Sequence, residues 1–174
     1  MRTTASRDTF AGRDAGLPRE IAIVCGAKRK GRVIEMLVST KGRYALRLMV
    51  CVAQAGAEGK VALREVSERE DISLKYLEQL ARPLVQAGLL RSVRGKGGGY
   101  ALAQEPAAIR AGDVLRAVEG STAPVACLDL QEGMACPRAG ECTTVRFWAG
   151  LDEVIERYVD GVTLADLAGE PGLP

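Results

Sequence analysis

The chain has 174 residues, of which 47% are hydrophobic, enough for one domain with its own core. No apolar run approaches the roughly 18 residues a membrane helix requires, and Ile21–Val24 is too brief for a secretory signal, so a cytoplasmic location is expected. There are 5 cysteines and no histidine, which excludes Ser–His–Asp and Cys–His nucleophile pairs and Cys/His zinc fingers.

The net charge of +2 conceals a division: residues 1–35 carry +4, residues 36–104 carry +5 and residues 105–174 carry −7. A basic segment beside an acidic one suits a polyanionic partner for the first, although solvated faces of an ordinary protein give the same count.

Residues 1–35 have no sustained apolar period and read as a disordered tail or a mis-called start, with Met36 as the natural beginning. A basic arm that follows DNA is the alternative for this segment. Order begins at Ser39, where Ser39 or Thr40 can cap a helix whose apolar stripe is Ala45, Leu48, Met49 and Val52. Gly56 and Gly59 end it. A short second helix follows, with Leu63 and Val66 as its apolar contacts. Asp71-Ile72-Ser73 is a turn, and Ser73 caps a third helix with the stripe Leu77, Leu80, Ala81 and Leu84. Pro83 inside that pattern predicts a kink or an end near Ala81. Leu89–Val93 and Tyr100–Ala103 then read as a β-hairpin around a glycine-rich basic tip. Residues 111–119 form one more short helix, and residues 121–140 a loop. A long helix runs from Thr143 or Thr144 to about Asp160, and Thr163 caps a last turn.

Short helices, a polar-faced helix and a basic hairpin make a winged helix-turn-helix: mainly α, with a small β-hairpin wing and a long C-terminal helix. The domain 36–104 would bind DNA. Residues 105–143 would hold a short helix and a cysteine loop, and residues 144–174 a dimerisation helix and tail. A helix fits the major groove and reads base edges from its polar face. Here that face holds Ser73, Lys75, Tyr76, Glu78 and Gln79. Glutamate accepts from cytosine and glutamine pairs with adenine, whereas a Glu78–Arg82 surface pair is the bland alternative. In the hairpin tip, Arg94 and Lys96 suit a narrow minor groove, and Gly97 and Gly98 let backbone amides approach phosphate. On the long helix, Trp148, Leu151, Ile155 and Tyr158 form a stripe too apolar to face water, which points to a homodimer and a near-palindromic double-stranded operator.

Cys127, Cys136 and Cys142 lie at C-x8-C-x5-C ahead of the long helix. Thiolates on such a loop can converge on a soft metal centre, and iron–sulphur clusters usually take four. With three, one iron carries another ligand or an open position, which suits a sensor. A zinc site short of one ligand, a regulatory thiol pair and unliganded cysteines are the alternatives, and a small iron–sulphur redox protein is the competing class.

STKGRYAL, DISLKYLEQL, GLLRSVRGKGGGY and VTLADLA resemble the Rrf-two family of bacterial transcription regulators, from Met36 to about Ala168. The resemblance implies a non-enzymatic DNA-binding regulator, a repressor, that dimerises through its long helix. It implies base reading by Glu78 and Gln79, minor-groove contact by Arg94, and phosphate contact by Lys41 and Arg43. In cluster-binding relatives, three cysteines of this loop hold a 2Fe-2S or 4Fe-4S cluster. In one branch a histidine three residues after the last cysteine completes the site, where this chain has Val145. In another an aspartate of the first helix does so, where it has Arg43. The fourth ligand is therefore open among Asp129, Glu132, Glu141, a small thiol, water, or Cys51 approaching off the first helix's core stripe from a second subunit. GDVLRAVEG and APVACLD also resemble a branch that represses cysteine metabolism under control of a partner protein.

Overall fold

The computed structural model describes residues 39–56, 59–95, 97–125, 136, 138 and 140–169. The expectations for residues 1–35, Lys96 and Cys127 lie outside them, as do Asp129 and Glu132.

Helix α1 spans Thr40–Gln54, and Ser39 caps it by accepting the Lys41 N–H. Helix α2 spans Leu63–Glu70 and ends on Asp71, which takes the left-handed conformation at φ 54° and turns the chain toward α3, Leu74–Gln86. Ser73 caps α3 by accepting the Tyr76 N–H. The caps fall where the Ser residues stand because a short hydroxyl satisfies an otherwise orphaned amide of the first turn.

Pro83 does not end α3. The helix runs on to Gln86, and Gly88 at φ +70° closes it. Proline removes one amide and crowds the carbonyl four residues back, but Leu84 behind it is fully buried and the Leu89 N–H donates to the Leu84 carbonyl. Burial of that last turn outweighs the local penalty.

Strands β1, Leu90–Val93, and β2, Gly99–Leu102, pair antiparallel with Leu90 opposite Leu102 and Val93 opposite Gly99. Val61 adds a bridge to Tyr100, exchanging two 2.9 Å backbone hydrogen bonds. A 3-10 turn at Pro106–Ala108 leads to α4, Ala111–Glu119; then come α5, Val145–Gly161, and α6, Leu164–Ala168. Thr163 and Asp166 form a capping box at α6.

One buried cluster contains Ala45, Leu48, Met49 and Val52 of α1, Val66 of α2, and Leu77, Leu80, Ala81 and Leu84 of α3. Ile109, Val114 and Leu164 belong to it too, so α4 and α6 close the same core. Cys51 is also in it, only 4% exposed, against the expectation that it lies off the core stripe. A stripe describes one helix by itself, but α2 packs across α1 and widens the buried face. The Cys51 thiol donates to Glu70 Oε1 at 3.2 Å.

Candidate nucleic-acid interface and cysteine loop

Leu77, Leu80, Ala81 and Leu84 turn α3 so that Ser73, Lys75, Glu78 and Gln79 are exposed. Glu78 and Arg82 stand one turn apart but form no ion pair, and both side chains are exposed. Tyr76 is half-buried. Its ring meets Tyr44 edge-on at 5.9 Å, and its hydroxyl lies 3.4 Å from that of Thr40, so it fastens α3 to the first turn of α1. Lys41 and Arg43 are exposed on that turn, with the Arg43 guanidinium 5.9 Å from the Tyr44 ring.

At the wing, Gly95 and Gly97 take φ +104° and +72°, and the Gly98 N–H closes the turn onto the Gly95 carbonyl at 2.9 Å. A Cβ on Gly98 would stand about 2.5 Å from the Val93 carbonyl oxygen, so the turn requires glycine there. Arg94 is exposed beside it.

In the basic half Arg47, Arg64 and Arg69 pair with Glu70, Glu68 and Glu70, but among the described residues the cations of the candidate interface do not pair. Lys41, Arg43, Lys75 and Arg94 pair with no carboxylate among the described residues. Arg116 of α4, by contrast, reaches Asp113 at 3.2 Å and Glu156 and Asp160 of α5 at 2.6 Å each. Those carboxylates raise the pKa of its guanidinium, Asp160 most of all. Thr122 also donates to Glu156. A Cβ on Gly112 would meet the ends of the Asp160 and Arg116 side chains, so glycine leaves room for their ion pair. Lys41, Arg43, Lys75 and Arg94 thus remain open to an outside anion.

No residue of α5 is fully buried. Trp148, Leu151 and Ile155 are half-buried, whereas Phe147 is 65%, Val154 55% and Tyr158 57% exposed. The exposed apolar residues are therefore Phe147, Val154 and Tyr158, and half-buried Leu151 completes a seam with them. The stripe expected from the sequence omits Phe147 and Val154, although the spacing 147-151-154-158 marks a helix seam equally well. Phe147 and Trp148 pack edge-on at 5.0 Å.

Cys136 and Cys142 are half-exposed just ahead of α5. The Cys142 thiol lies 3.4 Å from the Thr144 hydroxyl, and that contact, with neighbouring backbone amides, holds its pKa below the usual thiol value. Among the described residues no group of three or more Cys, Asp or Glu side chains converges as a metal site. The two placed thiols are soft donors on an accessible loop, a donor set that fits an iron–sulphur centre when joined by a third thiolate. Cys51 does not fit as a fourth ligand: it is buried, and burial together with the Glu70 carboxylate pushes its thiol up to about 11.

A helix with an open polar face, a basic wing beside it and a basic helix start define a winged-helix DNA-binding protein. The family model of the Rrf2 (Rrf-two) iron-dependent transcriptional regulators matches residues 38–170. The HTH-type transcriptional regulator CymR of Bacillus subtilis is 41% identical over 133 residues, 76% of this chain and 90% of CymR. The HTH-type transcriptional regulator IscR of Yersinia pseudotuberculosis is 42% identical over 132 residues, 76% of this chain and 79% of IscR. The solved structure of T. potens IscR is similar with a TM-score of 0.62 and 38% identity, covering 79% of this chain and 92% of that one. The chain belongs to the Rrf2 family of transcriptional regulators.

Proposed function

We propose that the protein binds a near-palindromic double-stranded DNA operator as a homodimer, represses transcription there, and adjusts its DNA affinity through an iron–sulphur cluster held by Cys127, Cys136 and Cys142. One observation carries the DNA-binding geometry: Ser73, Lys75, Glu78 and Gln79 of α3 are exposed, and the exposed cations Lys41, Arg43 and Arg94 have no carboxylate partner among the described residues. Glu78 and Gln79 read base edges, Ser73 and Lys75 flank them, and the wing with Lys96, Gly97 and Gly98 follows the backbone. The cluster, when bound, supplies a centre whose loss or oxidation changes the loop that leads into α5. The dimer forms along Phe147, Leu151, Val154 and Tyr158.

Gln79→Ala is expected to weaken binding to the selected operator by about 1–3 kcal/mol and to relax preference at one base position, read by anisotropy against a panel of single-base variants. An unchanged preference at every position would remove α3 from the base-reading role.

The half-exposed thiols of Cys136 and Cys142 favour a second reading, in which the thiol state itself, or a partner protein as in the cysteine-metabolism branch, controls binding. Cys136→Ala separates the two. Under the cluster reading, anaerobic reconstitution with iron and sulphide gives a coloured wild-type protein and a colourless variant, with different operator affinities. A colourless wild type whose DNA binding still responds to oxidant or to the partner supports the second reading.

A further inference from the structure

The first turn of α1 is held by a residue from the far end of α4. Glu119, the last residue of α4, accepts three hydrogen bonds at one carboxylate oxygen: from the Ser39 N–H at 3.1 Å, the Ser39 hydroxyl at 2.7 Å and the Gly42 N–H at 2.9 Å. Ser39 in turn accepts the Lys41 N–H at 3.0 Å, and its carbonyl accepts the Arg43 N–H at 3.2 Å. The amides of residues 41, 42 and 43 are thus all spoken for, and Lys41 and Arg43 project from a turn whose orientation is set by a carboxylate about 80 residues away. A negative group at a helix N-terminus is favoured by the helix dipole, and three donors on one oxygen make this contact directional as well as electrostatic. Thr40, on the same turn, meets Tyr76 of α3. The held turn is therefore the one that joins the cations to the α3 face.

We infer that Glu119 is a positioning residue for DNA binding: by fixing the first turn of α1 it sets Lys41 and Arg43 where both reach phosphate. The inference rests on the proposed phosphate contacts of those two residues. Glu119 itself touches no DNA; it acts through the backbone of residues 39–43. Without it, the turn keeps the Ser39 cap but loses its tie to α4, and the two cations no longer meet the duplex in register.

The experiment measures binding of the full chain to a short random-sequence duplex across a salt series, since phosphate contacts act on every sequence. Each phosphate contact contributes about −0.9 to the slope of log affinity against log salt. Glu119→Ala is expected to weaken binding by about tenfold at low salt and to make the slope shallower by about one to two, the contribution of one or two contacts. Lys41→Ala is expected to cost less in the Glu119→Ala background than in the wild type, because contacting sites are not additive. Glu119→Gln keeps an acceptor oxygen for the same three donors and is expected to restore the wild-type slope. A capping residue that only stabilised the fold would shift the melting midpoint and leave the slope alone.

A folded Glu119→Ala protein with the wild-type slope overturns the inference. So does an undiminished Lys41→Ala effect in that background, or a Glu119→Gln slope as shallow as that of Glu119→Ala. If Glu119→Ala does not fold, Ser39→Ala, which removes one of the three bonds together with the cap on the Lys41 N–H, must still reduce the slope, and a wild-type slope there overturns the inference equally. Lys41→Ala and Arg43→Ala in the wild-type chain test the underlying contacts separately. If neither changes the slope, the phosphate-contact reading falls and the role of Glu119 with it. If they do and Glu119→Ala does not, only the role of Glu119 falls.

Discussion

Leu151→Asp is expected to yield a folded monomer that no longer binds operator DNA at concentrations where the wild type saturates it. Leu151 lies in the seam with Phe147, Val154 and Tyr158, on a helix none of whose residues is buried within one chain. Two-fold symmetry doubles the effect of one substitution. Losing two leucine side chains from an apolar interface at about 2 kcal/mol each removes roughly 4 kcal/mol, about a thousandfold in the dimerisation constant, before the cost of the two carboxylates is added. The core lies in α1–α4, the start of β1 and α6, so the melting transition of the winged domain should persist. Sedimentation checks the assembly and circular dichroism the fold. A dimer of wild-type stability carrying this substitution places the interface elsewhere.

Leu77→Ala is expected to lower folding stability by about 2–5 kcal/mol, the range for removing a fully buried leucine and leaving a cavity. Leu77 is 0% exposed, on the inward side of the helix that presents Glu78 and Gln79 outward. The loss should register as a lower urea midpoint with the denaturant slope unchanged, since the surface exposed on unfolding is nearly the same. A loss below about 1 kcal/mol means that the site collapses around the smaller side chain and that α3 is held mainly by its neighbours.

Features written in local spacing are legible in the sequence alone. The stripe Leu77, Leu80, Ala81 and Leu84 needs only a period near 3.6, and all four are buried. Ser39, Ser73 and Thr163 announce helix starts because their hydroxyls act within three residues of themselves. The errors arise where a distant element decides. Pro83 argues for an early end, and the burial of Leu84 against other elements overrides it. Cys51 lies off the stripe of its own helix, and α2 covers it. On α5 two adjacent apolar seams compete, and the domain beneath decides which one faces water. The ties of Arg116 to α5 and of Glu119 to α1 carry no signal, because those partners lie 40 to 80 positions away and nothing in a charged residue's neighbours names the backbone it will meet. The site residues proposed for DNA lie in the locally coded part; the ties that aim them do not.

The buried thiol of Cys51 has a use as a clock. With its pKa pushed up to about 11, chiefly by burial and then by Glu70, the thiol stays protonated at pH 7 while the fold is closed. Opening the α1–α2 contact returns the group to water and to ordinary reactivity. The rate at which a thiol reagent marks Cys51 therefore counts the excursions of the core out of its native packing, and does so in the same tube in which the half-exposed Cys136 and Cys142 report on the loop. One chain thus carries a slow reporter of its folding equilibrium and fast reporters of its loop, distinguished by mass of the labelled peptide alone.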